Sequence, residues 1–355
     1  MFFFIFSSNL VASFEKIPRI DIPAKKLPNL TQNSVSLSSC LNAGIEDTTP
    51  KKLRNKIGAA LINLTGVRRK QNPDVAFYHE TRGFYAASAA KLAPLVASFQ
   101  LKADIEYLTN TQRTLSTSLI IWNTPSKSNP ELASIFQNKD GYLSLPITFK
   151  KDFLELTDSA IRASNNKSAA KVMTLLTMPY IGNVMTRLDL YSKDQNGGLW
   201  AGKLFGKGRQ WLRSPVNNRS HNATAYSLSR LFTALAQKKL ISKNASLGIR
   251  KTLTSTKFNI KFVKGLRLMG YTINQRATPT YDKPSIEIYR KSGTYIGPIT
   301  VHHDAAYIVK STCHSLDCRV ISHKRYVAVA LSQGSPFKSI LPKLIQKMDK
   351  CIDQS

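Results

Sequence analysis

Ser88, Ala89, Ala90 and Lys91 place a hydroxyl and an amine three residues apart. On a helix, positions i and i+3 share a face. The Lys91 amine can then reach the Ser88 hydroxyl and, when neutral, take its proton. Burial or a second cation nearby favours that neutral form, and a helix N-terminus adds positive potential at the nucleophile. The same spacing recurs at Ser13, Ser164, Ser168 and Ser335, so spacing alone carries little weight. Context sets Ser88 apart. It follows two strand-like segments, its flank FYAAS is small and apolar, and a hydrophobic helical run comes after it.

Two further groups complete a constellation. Ser164-Asn165-Asn166 offers a second hydroxyl to relay a proton to a leaving nitrogen, and the Asn166 amide can bind a substrate amide. Lys291-Ser292-Gly293-Thr294 is the only Lys-Ser/Thr-Gly sequence in the chain and ends a run of alternating apolar residues. There Lys291 supplies positive charge, Ser292 and Thr294 offer hydroxyls to a carboxylate, and Gly293 lets substrate approach the backbone.

The intervening elements must bring these groups together. Residues 57–64 and 74–80 read as strands around the polar stretch GVRRKQNP. Residues 88–108 have helical spacing, with Pro94 expected to kink the helix or confine its first turn. Helical stretches alternate with polar loops over 110–176, most clearly at 149–176. Residues 189–222 are rich in Gly, Asn, Arg and Trp with little periodicity, and so long a loop in a compact domain is usually functional. Residues 224–240 form an amphipathic helix with Thr224 as N-cap. Strands return at 285–294, 305–311 and 325–332, and 336–352 closes as a helix. The expected fold class is α/β: an antiparallel sheet flanked by N- and C-terminal helices, plus an inserted all-α subdomain. Residues 1–13 read as a signal-like segment and 14–50 as a linker or N-terminal arm with a short helix near Cys40. Residues 51–355 read as the catalytic domain, with its α/β part at about 51–87 and 283–355 and its helical part at about 88–250.

Three such motifs in this order resemble the β-lactamase and penicillin-binding-protein superfamily of serine hydrolases, and within it the class A β-lactamases. The resemblance covers roughly residues 52–352. It implies that Ser88 attacks a carbonyl, that Lys91 is a base for acylation and that Ser164 shuttles the proton. It implies that Lys291, Ser292 and Thr294 recognise a substrate carboxylate. The backbone N–H groups of Ser88 and Thr294 would form the oxyanion hole. The implied substrate is a small-molecule β-lactam or a peptidoglycan stem peptide, with no cofactor and no metal.

The chain departs from class A enzymes in one respect that matters chemically. Those enzymes carry a loop Glu that activates the deacylating water. Here no Glu occurs between Glu155 and Glu287, and the acids in that interval are Asp158, Asp189, Asp194 and Asp282. The second motif also reads Ser-Asn-Asn where class A enzymes usually have Ser-Asp-Asn. Without a base beside the ester, acylation can proceed while hydrolysis stalls. His221 is a candidate substitute base; the alternative is that it braces the next helix. His302 and His303 are expected in a turn. Three function classes stay open: a slow β-lactam hydrolase working through an acyl-enzyme on Ser88, a D-alanyl-D-alanine peptidase, and a non-catalytic module that binds cell wall or polyanions.

Composition bounds the setting. Lys and Arg number 51 against 21 Asp and Glu, a formal net charge of +30. Such a chain associates with polyanions. The charge is spread out, with no RNP motif, finger spacing or concentrated basic arm, so no specific nucleic acid is expected; anionic envelope polymers or lipid headgroups are candidate partners. The sequence contains no run of 18 apolar residues, so no transmembrane helix is expected. The start, MFFFIFSSNLVAS, reads like a secretory signal that lacks a basic n-region. Cys40, Cys313, Cys318 and Cys351 are an even count, fitting an oxidising compartment. Cys313 with Cys318 can close a small loop, and Cys40 with Cys351 can join the two ends. The alternative is zinc held by Cys313, Cys318, His314 and His323, a spacing that matches no strong signature. These features point to export, periplasmic or extracellular.

Overall fold

The computed structural model describes residues 27, 29–31, 33–67, 72–111, 130–137, 146–206, 212–254, 261–273, 279–280, 283–315, 317–319 and 321–355. The signal-like segment 1–13 lies outside these residues. In chain order the elements are α1 (Val35–Thr48), β1 (Ile57–Asn63), β2 (Asp74–Tyr78), α2 (Leu92–Thr111), α3 (Pro130–Ile135), α4 (Lys151–Arg162), α5 (Asn166–Leu176) and α6 (Met178–Arg187). Then come β3 (Trp200–Ala201), β4 (His221–Asn222), α7 (Ala225–Ala236), α8 (Lys243–Leu253), α9 (Lys261–Leu268), β5 (Thr272–Ile273), β6 (Ser285–Tyr295), β7 (Val301–Cys313), β8 (Ile321–Gln333) and α10 (Phe337–Gln354).

One sheet, ordered β2-β1-β8-β7-β6-β5, joins strands from both ends of the chain. Every pairing in it is antiparallel except the short parallel contact of β5 with β6. Strand alternation splits the core in two. Val327, Val329 and Leu331 face a cluster with the helices between β2 and β6, including α2, α5, α6 and α7. Tyr326, Ala328 and Ala330 face a cluster built with α1, α9 and α10. The helical block is thus inserted between β2 and the C-terminal strands, and the site lies where it meets the sheet.

Several elements differ from the sequence reading in extent. The expected linker contains a fourteen-residue helix, α1. Leu37, Leu41 and Ile45 recur one per turn and are all buried against α10, a stripe that makes the segment part of the core. Pro94 is the third residue of α2 and so falls in the first turn, where its missing N–H costs no helical bond. His302 and His303 do not lie in a turn. Both are inside β7, at 3% and 0% exposure. The strand starts at Val301 because β7 pairs on both sides, with β6 and with β8, and tertiary pairing outweighs local composition. Cys40 bonds Cys351 and Cys313 bonds Cys318. The second pair consumes both thiols that the zinc alternative required.

Candidate active site

Ser88 sits in a 3₁₀ turn, Ala87–Lys91, that leads straight into α2. Ala87 immediately before it holds φ at +45°, a left-handed conformation costing a residue with a Cβ roughly 1 kcal/mol. The surrounding structure holds the turn in place. Phe84 and Ala223 exchange backbone hydrogen bonds of 2.9 and 3.1 Å. His303 Nε2 donates to Tyr85 O at 2.8 Å, while its Nδ1 accepts from Ser332 N at 3.1 Å. These partners fix one tautomer and tie the turn to β7 and β8. Burial pushes His303 down to about 4, so the ring is neutral at pH 7.

On the other side β6 runs against the turn. A Cβ on Gly293 would meet Ala86 O at 2.7 Å and Ala89 N at 3.0 Å. Only glycine permits that approach, and it brings the strand end carrying Thr294 beside Ser88.

Two buried lysines converge here. Lys91, 1% exposed, donates to Ser164 O, to Ser164 Oγ at 3.2 Å and to Asn166 Oδ1 at 2.8 Å. Lys291, 4% exposed, donates to the same Ser164 Oγ at 3.0 Å. Burial lowers Lys91 to about 8. Lys291 falls well below its ordinary value, first through burial, then through the charges of Lys91 and Arg290; Asp304 opposes the shift. Ser164 itself holds φ at +54°. Asn165 is the N-cap of α5, its Oδ1 accepting from Lys167 N at 2.8 Å and Ser168 N at 3.2 Å. The middle Asn of the motif therefore builds the helix start, and its two neighbours hold the lysine. Among the described residues Ser88 Oγ makes no hydrogen bond. The amine of Lys91 is aimed at Ser164 and Asn166 and makes no hydrogen bond to Ser88.

Alternation along β6 separates the third motif into two faces. Lys291 and Gly293 face Ser164 and the Ser88 turn. Ser292 and Thr294 pair across the strands with Asp304 and His302. Lys261, at the start of α9, donates to Thr294 Oγ1 at 2.8 Å, which leaves the threonine proton free for an acceptor. Beyond the contact with β5 at Ser285 and Ile286, the described residues pair with the outer edge of β6 only at a Thr254–Tyr289 bridge.

The described part of the long loop is compact. Leu199 N bonds Leu190 O at 2.8 Å, β3 pairs with β4, and Asn222 Nδ2 donates to Gly198 O at 2.7 Å. Its base is anchored by Arg230, 1% exposed, which donates to Asp189 Oδ2 at 2.9 Å and also to Leu27 O. His221, 2% exposed, stacks on Phe205 with ring centres 4.5 Å apart, and Lys91 Nζ lies 4.8 Å from the centre of that Phe ring. Burial, then Lys203 and Lys91, push His221 down to about 3, and among the described residues its buried Nδ1 has no partner. The acids of the interval without Glu are accounted for. Asp189 is engaged by Arg230, Asp158 lies 3.6 Å from Arg162, and Asp194 is exposed. Asp282 lies outside the described residues.

The sequence profile of the Beta-lactamase enzyme family matches residues 45–335. The chain belongs to that family. Solved structures agree on the fold. PBP-A superposes with a TM-score of 0.52 at 12% identity, over 93% of this chain and 100% of that one. The TLA-3 extended-spectrum β-lactamase gives 0.52 at 16% identity, over 89% and 97%. A β-lactamase from Chitinophaga pinensis gives 0.51 at 12% identity, over 89% and 97%. Identities this low speak for the fold alone. No curated protein sequence matches the chain.

Several residues of this β-lactamase-family site were not legible in its sequence: Phe205, Lys261 and Arg230, with His303 placed wrongly. None belongs to a short motif, and each acts through a contact between segments distant in sequence. For Arg230 one signal existed: an arginine on the face of an otherwise apolar helix, which needs a buried acceptor.

Proposed function

We propose that the protein is a serine hydrolase in which Ser88 attacks an activated amide and becomes acylated. The observation that carries this reading is the convergence of Lys91 and Lys291 on one hydroxyl, Ser164 Oγ, at 3.2 and 3.0 Å. Two ammonium groups buried together cost folding free energy. A non-catalytic wall-binding module has no use for that cost. With Lys91 lowered to about 8, about a tenth of it is neutral at pH 7. That fraction accepts the Ser88 proton once substrate enters, and Ser164 passes a proton to the leaving nitrogen. At the edge of β6, Lys291 from one face and Thr294 and Ser292 from the other take the substrate carboxylate, and Asn166 takes the side-chain amide. The N–H groups of Ser88 and Thr294 receive the oxyanion.

β-Lactams fit as substrates that acylate Ser88 and leave slowly. Of the acids between Glu155 and Glu287 that lie among the described residues, Asp189 and Asp158 are engaged and Asp194 is exposed. His221 is neutral but far less basic than a general base working at pH 7 should be. The edge of β6, which the described residues pair only at Ser285, Ile286 and Tyr289, favours a second substrate class. An extended peptide can add there as a strand, which suits a D-alanyl-D-alanine peptidase of an exported, disulfide-bearing protein acting on stem peptides.

The deciding experiment is incubation with a fluorescent penicillin, followed by gel, intact mass and peptide mapping. The expected result is one adduct on the peptide containing Ser88, formed fast and released slowly. An adduct elsewhere, or none with any β-lactam or ester, overturns the assignment.

A further inference from the structure

A second cleft lies on the same side of the sheet as Ser88 but at the far end of α7. Its volume is 330 Å³, and Gln237, Lys238, Lys239, Lys243, Tyr307 and Arg325 contribute to its walls. α7 has twelve residues, so it spans about 18 Å; His221 adjoins its start and Gln237 follows its end. Tyr307 lies four residues beyond His303 on β7, roughly 13 Å along the strand. The cleft is therefore separate from the acylation site.

Four cationic side chains meet here, and no Asp or Glu is among the lining residues. Lys238, Lys243 and Arg325 make no ion pair among the described residues. The acid next to Tyr307, Glu287, already accepts the Tyr289 hydroxyl at 2.9 Å. The C-terminal carbonyls of α7 would repel an anion, but Arg250 caps them, donating to Leu235 O at 2.9 Å and Ala236 O at 2.6 Å. Lys243 opens α8, and that helix start adds positive potential. The remaining polar feature is an acceptor: buried Gln237 Oε1 has no partner among the described residues.

We propose that this cleft binds the phosphate ester of a polyol, with the phosphate on Lys238, Lys243 and Arg325 and a hydroxyl on Gln237. A phosphate has the charge to match several cations and the geometry to take the arginine fork. Beside four cations the fully ionised form of the phosphate is favoured, and that form has no proton for Gln237, so the donor is a neighbouring hydroxyl. The volume sits at the small end of ligand pockets, which suits one phosphorylated unit. That unit is either a free small molecule or one link of a phosphodiester polymer. Held there, a polymer would keep the enzyme near other chains of the same matrix.

The test is titration of the full chain with glycerol 3-phosphate at low ionic strength, read by calorimetry. Saturable one-site binding is expected. The double variant Lys238→Glu/Arg325→Glu should bind about tenfold to a hundredfold more weakly, since charged hydrogen bonds are lost. The matched double Lys343→Glu/Lys350→Glu, two exposed lysines on α10, should bind like the parent. Equal losses in both doubles, or none in the first, overturn the proposal. Inorganic phosphate should bind more weakly than glycerol 3-phosphate, and Gln237→Leu should abolish that difference; equal affinities in the parent overturn the hydroxyl contact. If the first double fails to fold by circular dichroism, Lys243→Gln takes its place with the same criteria. An oligomer of glycerol phosphate distinguishes the sources. Tighter binding than the monomer assigns a polymer, equal binding a free ester, and either upholds the site.

Discussion

Gly293→Ala is the most direct test of how β6 meets the nucleophile turn. The added methyl would sit 2.7 Å from Ala86 O and 3.0 Å from Ala89 N. Ordinary carbon–oxygen contact begins at about 3.4 Å, so strand and turn must separate by about 0.7 Å. Neither neighbour is the end of a flexible side chain; both are backbone of the turn that His303 and Phe84 pin in place. A displacement near 1 Å at a reacting centre costs on the order of 100-fold in rate. Acylation of Ser88 should therefore slow by about 30-fold to 100-fold. The strain should remove about 1–3 kcal/mol of stability, read as a lower melting temperature by calorimetry. The rate is measured as the second-order constant for labelling by a fluorescent penicillin, on protein shown to be folded by circular dichroism. Labelling at the parent rate would refute the placement of the β6 end beside the nucleophile, whatever happened to stability.

Acylation should rise with pH and level off above about 8, because only neutral Lys91 accepts the proton and burial lowers it to about 8; a flat labelling profile from pH 6 to 9 contradicts that role. Binding of a carboxylate ligand should take up a proton at pH 7, because Lys291 is driven toward neutral when the site is empty and an anion restores its charge; calorimetry in buffers of different ionisation enthalpy checks this, and a neutral ester should show none. His221→Ala should leave the acylation burst intact. It should lower the steady-state rate only if the weakly basic ring still serves as a base, and because His221 titrates near 3 that rate should show no His221 inflection between pH 5 and 8. Reduction should lower the melting temperature by on the order of 10 °C, since Cys40–Cys351 closes a separation of 311 residues; an unchanged melt with four free thiols counts against it.

The strand pairs and helices were readable because their periods are strong. Val327, Val329 and Leu331 alternate with Tyr326, Ala328 and Ala330 in the sequence as they do across the sheet. The three motifs were readable for the same reason: each is contiguous and each sits at an element boundary. Contacts between distant segments were not readable. Nothing local announces that Lys261 will reach Thr294, or that Arg230 will hold Asp189 and Leu27 together. The aim of Lys91 was also beyond the sequence. Helical spacing puts it on the face of Ser88, yet Ser164 and Asn166 lie across the cleft and use its donors.

That redirection follows from the charge balance of the site. Lys91, Lys291, Lys261 and Arg290 are all buried here, and Asp304, paired with Arg290 at 3.4 Å, is the acid the structure sets against them. With too little negative charge nearby, the lysines are stabilised by neutral oxygens instead: Ser164 Oγ serves two, Asn166 and Thr294 one each. Such a site favours an anionic substrate. A carboxylate beside Thr294 would restore the charge of Lys291 and hold it there. Lys91, repelled by that restored charge, would be left more neutral and better able to take the Ser88 proton. In the proposed reaction, substrate binding then raises the neutral fraction of Lys91 only when the substrate carries the carboxylate, which would couple recognition to acylation through the pair of lysines on Ser164. The acyl-enzyme gains no such help. The side of the turn that faces His221 and Phe205 offers a stacked aromatic pair and an imidazole of very low basicity. In the proposed reaction, the same burial that favours the first step leaves His221, among the described residues, too weakly basic to serve the second.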